Sequence, residues 1–277
     1  MENEAAFQRL RAYIVHLCGI DIPSGKSYLF ETRFARMMAE NGIHDFEEFY
    51  QLILASGGAL DQPLINAIAT HETQWFRDSA PWNVIEETLL PRWICEIAEG
   101  RRNRIRIWFS AVSTGQEAYS TVMCIDRYLR KNHIKEVSLS NFYFFATDIS
   151  VNAVGIAKKG RYNRISITRG LGGAYRNEYF ANDGSVWEID ERIRRAVSFR
   201  QLNLLGDYSA LGHFDLIFCR YLLIYFPQDI QKKVAYKMHN ALTVGGVLFT
   251  GNYVMLDLFS PYFDPCHYGN MTYYAKK

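Results

Sequence analysis

Cysteine is scarce in this chain: five in 277 residues, odd in number, widely scattered and without a C-x-x-C pair. That pattern argues against a disulfide framework and against a zinc site, and predicts that Cys18, Cys95, Cys124, Cys219 and Cys266 are reduced, buried thiols. An excess of charge of one sign is also missing, since 31 Lys and Arg face 29 Asp and Glu and leave +2. Neither a polyanion nor a general nucleic-acid binder is indicated, so any basic docking surface must be local. Long apolar runs are absent too. The longest weakly charged stretch, ALTVGGVLFTGNYVML from Ala241, contains three glycines, two threonines and an asparagine, and reads as a buried strand and its turn rather than a membrane span. MENEAAFQRL has no basic segment followed by an apolar one, so no secretory signal or membrane insertion is expected, and the location expected is cytoplasmic. Internal repeats and low-complexity segments are lacking.

What is present is apolar content: 49% hydrophobic and 15% aromatic residues suffice for one large domain and a small one. The first seventy or so residues carry helical periodicity, in Phe7, Leu10, Ile14 and Leu17 and again in Phe30, Phe34, Met37 and Met38. Asp45 with Glu48 three residues later forms a capping-box-like start to FEEFYQLILASGG, which Gly57 and Gly58 end. LDQPLINAIATHE adds a last short helix. An all-helical domain over 1–72 is expected, followed by a linker and lead-in helix over 73–100.

From about residue 104 the pattern changes to short apolar strands alternating with helical segments: RIRIWF, EAYSTVMCIDRYLRK, FYFFATDIS, VNAVGIAKKG, then FDLIFC, DIQKKVAYKMHNAL, VLFTGN and TYYAK. Such alternation implies an α/β domain over 101–277 with a doubly wound, Rossmann-like parallel sheet. Residues 160 to 200 are polar and Gly-rich, with a hairpin signal at Asp183-Gly184, and predict a small inserted β-subdomain.

RIRIWF runs into SAVSTGQEAYS and a helix, an arrangement that brings backbone close to a ligand at the carboxyl end of a strand. The loop's single glycine, Gly115, is neither the G-x-G-x-x-G of dinucleotide-binding enzymes nor part of a G-K-[ST] triphosphate motif. A tight turn with no ligand fits it equally well. Asp148, at the end of FYFFATD, suits the two hydroxyls of an adenosine ribose and also suits capping of the next helix, a job open to Ser150.

Taken in order, five segments resemble one family. WFSAVSTGQEAYS is similar to the W-S-A-x-C-S-T-G-E-E-P-Y-S of CheR-type methyltransferases, ATDIS to their A-T-D, SFRQLNLL to their N-L-L, FDLIFCRYLLIYF to their F-D-x-I-F-C-R-N-V-L-I-Y-F, and HETQWFRD to their N-x-T-x-F-F-R-D. GIDIPSGKSYLFETRFARMM is similar to the helical domain that precedes catalysis in that family, so the match spans nearly the whole chain. The resemblance implies S-adenosylmethionine as cofactor, S-adenosylhomocysteine as product, and methyl esters formed on glutamates of chemotaxis receptors. It places His71, Thr73 and Arg77 at the cofactor, with Arg77 suited to the methionyl carboxylate, where Asp78 or Glu72 could otherwise hold it. It places Glu117 at the amino group, Asp148 at the ribose, Asn203 and Leu204 beside the adenine, and Tyr221 and Leu222 after C-R. Val112, Gln116, Ala118, His71 and Tyr221 depart from the pattern with respect to Cys, Glu, Pro, Asn and Asn. Asn252-Tyr253-Val254 stands where H-S-E often follows the late glycine. A methyltransferase for another protein or a small molecule, and a cofactor-binding adaptor, are the alternatives.

Lys26, Arg33 and Arg36 fall near one face of the second helix, a solvated surface or a dock for a receptor's acidic cytoplasmic helices. NEYFANDGSVWEIDE is too short for the longer Gly-rich loop with which some relatives capture a receptor's C-terminal pentapeptide, so no such tether is expected. Neither a metal nor a nucleic-acid partner is expected, and a monomer is.

Overall fold

A computed structural model describes residues 2–251 and 255–277. The stretch 252–254, where the family often has H-S-E, lies outside the described residues. Four helices come first: α1 (Glu2–Cys18), α2 (Ser27–Glu40), α3 (Phe46–Ala55) and α4 (Asp61–Ile68). Phe7, Leu10, Ile14, Phe30 and Phe34 bury against Phe46, Phe49, Ile53, Leu64 and Ile65 in one core, as the three- and four-residue spacing requires. Leu17, Met37 and Met38 pack on its margin. Asp45 caps α3 by accepting the Glu48 N–H at 2.9 Å, but the reciprocal bond differs from a capping box. The Glu48 carboxylate takes the His44 N–H at 3.1 Å, one residue before the cap.

The lead-in is one helical rod in three parts: α5 (Ala80–Val84), a π segment (Ile85–Leu89) and α6 (Leu90–Ala98). The Leu90 N–H reaches the carbonyl of Ile85, five residues back. This wide turn falls immediately before Pro91, which lacks an N–H and would crowd the carbonyl four residues earlier in a regular α-helix.

The α/β domain follows as β1 (Ile105–Phe109), α7 (Gln116–Lys131), β2 (Phe142–Asp148), α8 (Val151–Lys159), β3 (Arg161–Asn163), α9 (Arg164–Thr168), α10 (Gly173–Tyr179), β4 (Phe180–Asn182), β5 (Val186–Ile189), α11 (Glu191–Ala196) and β6 (Val197–Gln201). It closes with β7 (Phe214–Phe218), α12 (Gln228–Asn240), β8 (Leu242–Phe249), α13 (Leu256–Phe259), β9 (Phe263–Tyr268) and β10 (Met271–Lys276). The main sheet runs β6-β2-β1-β7-β8-β10-β9, parallel from β6 through β8 and antiparallel at β10 and β9. Side chains alternate between two cores: Ile105, Ile107 and Phe109 face one side of β1, and Trp108 faces the other. Strand order reverses beside β1, so the crevice outside the carboxyl ends of β1, β2 and β7 is where such a sheet binds ligands. An antiparallel β3-β5-β4 sheet is inserted between α8 and α11, with Asp183-Gly184 at the β4–β5 turn and Gly184 at φ +101°.

The small sheet's flanking helices are clamped to α7 through Asp126, which is 5% exposed. Its carboxylate accepts from Tyr179 Oη at 2.8 Å, from Arg130 Nε at 3.0 Å, and from Arg192. Burial raises this carboxyl's pKa, but the bonds from Arg192 and Tyr179 outweigh it and hold it below the usual range. A depressed folded pKa contributes stability above the unfolded value of about 3.9 and loses it as pH falls through the folded value. Asp126→Asn is therefore expected to cost about 1.5–3 kcal/mol at pH 7. In urea denaturation the gap between wild type and variant should close below about pH 4.

Candidate active site

The loop from β1 to α7 is laid across the sheet's end by its own backbone. Ser110 N donates to Phe218 O on β7 at 2.9 Å, and Val112 N to Thr147 O on β2 at 2.9 Å. Gly115 sits at φ +99°, and a Cβ there would lie 3.1 Å from both the Tyr162 hydroxyl oxygen and Ala157 Cβ, so the glycine is required for the loop to pass. Ser113 takes a left-handed φ of +52°, which aims its N–H at Asp148 Oδ2, 2.8 Å away.

Asp148 is 7% exposed, and its other oxygen accepts the Ser150 N–H at 3.0 Å. Ser150, not Asp148, caps α8, by accepting the Ala153 N–H at 3.1 Å. Each Asp148 oxygen thus keeps acceptor capacity toward the crevice. Burial pushes its pKa up, against the pull of the Ser150 and Ser113 N–H groups.

Glu117 stands in the first turn of α7, where a carboxylate suits the helix dipole. Burial raises its pKa too, opposed by Arg220, whose Nη1 lies 3.3 Å from Glu117 Oε1. Arg220, its side chain 2% exposed, also donates to Arg77 O at 2.7 Å and to Asp78 Oδ2 at 2.6 Å. Asp78 accepts the Tyr221 hydroxyl as well. Asp78 is therefore not the partner of Arg77, and the Glu72 carboxylate pairs with Arg169 at 2.9 Å. The Arg77 guanidinium instead lies over the Tyr221 ring, 3.7 Å from its centroid, and gives one bond of 3.3 Å to Glu72 O.

His71, Thr73, Arg77, Glu117, Asp148, Asn203, Leu204, Tyr221 and Leu222 all line one cavity of ≈ 340 Å³, a volume within the range of small-molecule sites. Lys26, Arg33 and Arg36 are not among its lining residues, although Arg33 backs two that are, Ala69 and Thr70. Arg33 donates to Ala69 O at 3.2 Å and Thr70 Oγ1 at 3.0 Å, and Arg36 pairs with Glu40. The Asn203 amide faces the helical domain, donating to Leu17 O at 2.9 Å and accepting the Leu205 N–H at 3.0 Å. Sequence reasoning assigned no site role to Arg220 or Asp78, although both stood inside quoted motifs. A lone arginine two residues past a fully buried parallel strand is the signal that points to Arg220. The cavity wall formed by Cys18, Ile20 and Ile68 has no signal in the sequence, because it depends on how the helical domain docks. Cys18, Cys124 and Cys219 are buried thiols as expected, but Cys95 is exposed and Cys266 partly so, since they sit on the outer faces of a surface helix and an edge strand. Among the described residues no His, Cys, Asp and Glu cluster could hold a metal, and no helix is long and apolar enough to cross a membrane.

Residues 71–266 match the family described as CheR methyltransferase, SAM binding domain, and residues 5–69 match CheR methyltransferase, all-alpha domain. The chain belongs to the CheR methyltransferase family. Among curated CheR relatives, chemotaxis protein methyltransferase 1 of Pseudomonas aeruginosa is 37% identical over 248 residues, 89% of each chain. Chemotaxis protein methyltransferase Cher2 of Pseudomonas putida is 36% identical over 88% of each chain. That of Vibrio anguillarum is 34% identical over 90% of this chain and 88% of its own. As a CheR methyltransferase the protein uses S-adenosylmethionine. The cavity suits that group: two buried carboxylates are held above their ordinary pKa, where hydroxyls or an ammonium would relieve their desolvation, and Arg77 still has donors for a carboxylate.

Proposed function

We propose that this CheR methyltransferase esterifies glutamate side chains on the cytoplasmic helices of chemotaxis receptors. The observation that carries this reading is the convergence of Arg77, Glu117 and Asp148, at matching motif positions, on one cavity. The curated relatives' names supply the chemotaxis context.

When bound, the cofactor supplies a methyl group activated by its sulfonium charge. In this reading Arg77 holds the cofactor's carboxylate, Glu117 its ammonium and Asp148 its ribose hydroxyls, with Asn203 and Leu204 beside the adenine. His71, Thr73, Tyr221 and Leu222 complete the walls. A glutamate nucleophile is ionised at neutral pH, its ordinary pKa being about 4.3. No general base is required, and none is assigned. What the chain contributes is orientation and exclusion of water, which lower barriers by roughly 7–11 kcal/mol in well-aligned cases. Ile224 and Tyr225, 41% and 37% exposed at the cavity, form an apolar rim for a receptor helix. Lys26 and Arg36 offer exposed charge for docking, whereas Arg33 is partly committed to the interdomain connection. The short turn at Asp183-Gly184 supports docking without a C-terminal pentapeptide tether. We take the enzyme to work as a cytoplasmic monomer, with domains over 1–72 and 101–277 joined by 73–100.

Incubation with methyl-labelled cofactor and receptor-containing membranes tests the reaction. The label is expected on a receptor band and should leave as methanol in mild alkali. Label that survives base would refute the ester. Asp148→Ala is expected to weaken cofactor binding by about 1–3 kcal/mol, tenfold or more, in calorimetry.

A further inference from the structure

Tyr221 occupies a backbone position that a tyrosine has no intrinsic reason to take. Its φ is +58°, in the left-handed region that Asn tolerates and bulky side chains avoid. Such strain persists where surrounding contacts over-determine it. The ring lies under the Arg77 guanidinium, 3.7 Å from centroid to Cζ, and the hydroxyl donates to Asp78. The ring also fills the space beside Gly251, where a Cβ would stand 3.1 Å from Tyr221 Cζ.

We propose that Tyr221 is a positioning residue that presents Arg77 to the cofactor. Stacking on a ring face fixes the plane of a guanidinium while consuming none of its five N–H donors, whereas an ion pair would consume the very fork a ligand carboxylate needs. Asp78 is the natural competitor for that fork, being adjacent in sequence. The Tyr221 hydroxyl and Arg220 Nη2 both bind Asp78 Oδ2, which anchors that carboxylate at Arg220 rather than at Arg77. One side chain therefore steadies the cation with its ring and restrains the rival anion with its hydroxyl. The inference rests on the reading of Arg77 as partner of the cofactor's carboxylate.

The test measures S-adenosylhomocysteine affinity by calorimetry and the thermal midpoint, on the full chain. Tyr221→Asn should weaken binding tenfold or more while holding or raising the midpoint, because Asn accepts the left-handed backbone. A purely structural role would move both readouts down together. Tyr221→Leu, which keeps bulk beside Gly251 without a π face, should weaken binding similarly. Tyr221→Phe, which keeps the ring but releases Asp78, should cost only twofold to threefold. In Arg77→Ala, adding Tyr221→Asn should cost nothing further. Unchanged affinity in both the Asn and Leu variants, or losses that multiply with Arg77→Ala, would overturn the proposal. If Arg77→Ala alone leaves affinity unchanged, the underlying assignment of Arg77 fails instead, whatever Tyr221 does.

Discussion

Arg220→Ala is expected to cost about 3 kcal/mol of folding stability, because it removes a buried cation that compensates the Glu117 carboxylate and the partly exposed Asp78. Glu117 depends on it most: burial already raises its carboxyl's pKa, and Arg220 is the first opposing influence, ahead of Arg77. Asp78 would keep the Tyr221 hydroxyl but lose a 2.6 Å ion pair, and the carbonyl of Arg77 would lose its 2.7 Å donor. Urea denaturation should show the loss as a lower midpoint with an unchanged slope. Arg220→Lys retains the charge as a single point without the fork, so it should recover part of the stability. Neither variant should bind cofactor like the wild type, since the same guanidinium organises the loop that carries Arg77.

Gly170→Ala should be of similar size for a different reason. Gly170 has φ +87°, and a Cβ there would fall 2.1 Å from the backbone oxygen of Trp75, an approach no side-chain rotation relieves. Trp75 is wholly buried, bonded through its N–H to Arg169 O at 3.0 Å and through Nε1 to Ser166 O at 3.0 Å. Its ring meets Tyr162 and Phe180 edge-on. The segment after β3 is thus moulded to the residue two positions before Arg77. We expect a loss of about 3 kcal/mol or more, from steric displacement plus a left-handed alanine, read as a drop in thermal midpoint. Gly184→Ala, also at positive φ but with open space around its Cβ, should cost far less and serves as the control.

The helical core and the parallel strands were legible because burial enforces periodicity. Phe7, Leu10 and Ile14 can share a core only on a helix, and FYFFATD can be buried on both faces only in a covered sheet. Gly115 and Asp148 were legible as candidates because the strand-loop-helix order fixes where they fall. β9 was not, since FDPCHY is an edge strand with a proline, little alternation and a partner that follows it in the chain. Arg220 and Asp78 escaped because their roles lie in each other and in Glu117, positions up to 142 residues apart in sequence. Asp45 and Glu48 show a finer limit, for the cap was readable and the choice of His44 as second donor was not.

The cavity has a wall from the helical domain, in Cys18, Ile20 and Ile68, and that wall is pinned by Asn203 to Leu17 O and by the Asp21 N–H to Tyr225 O at 2.8 Å. The two domains therefore cannot be treated as interchangeable parts. A chimera that borrows a relative's helical domain also replaces part of the container we propose for the methyl donor. Conversely, a ligand that fills the container holds its two halves shut. By mass action, a ligand that binds only the closed form adds about 2.7 kcal/mol against opening at a hundred times Kd, so proteolysis between residues 69 and 74, where the helical domain ends, should slow as S-adenosylhomocysteine is added.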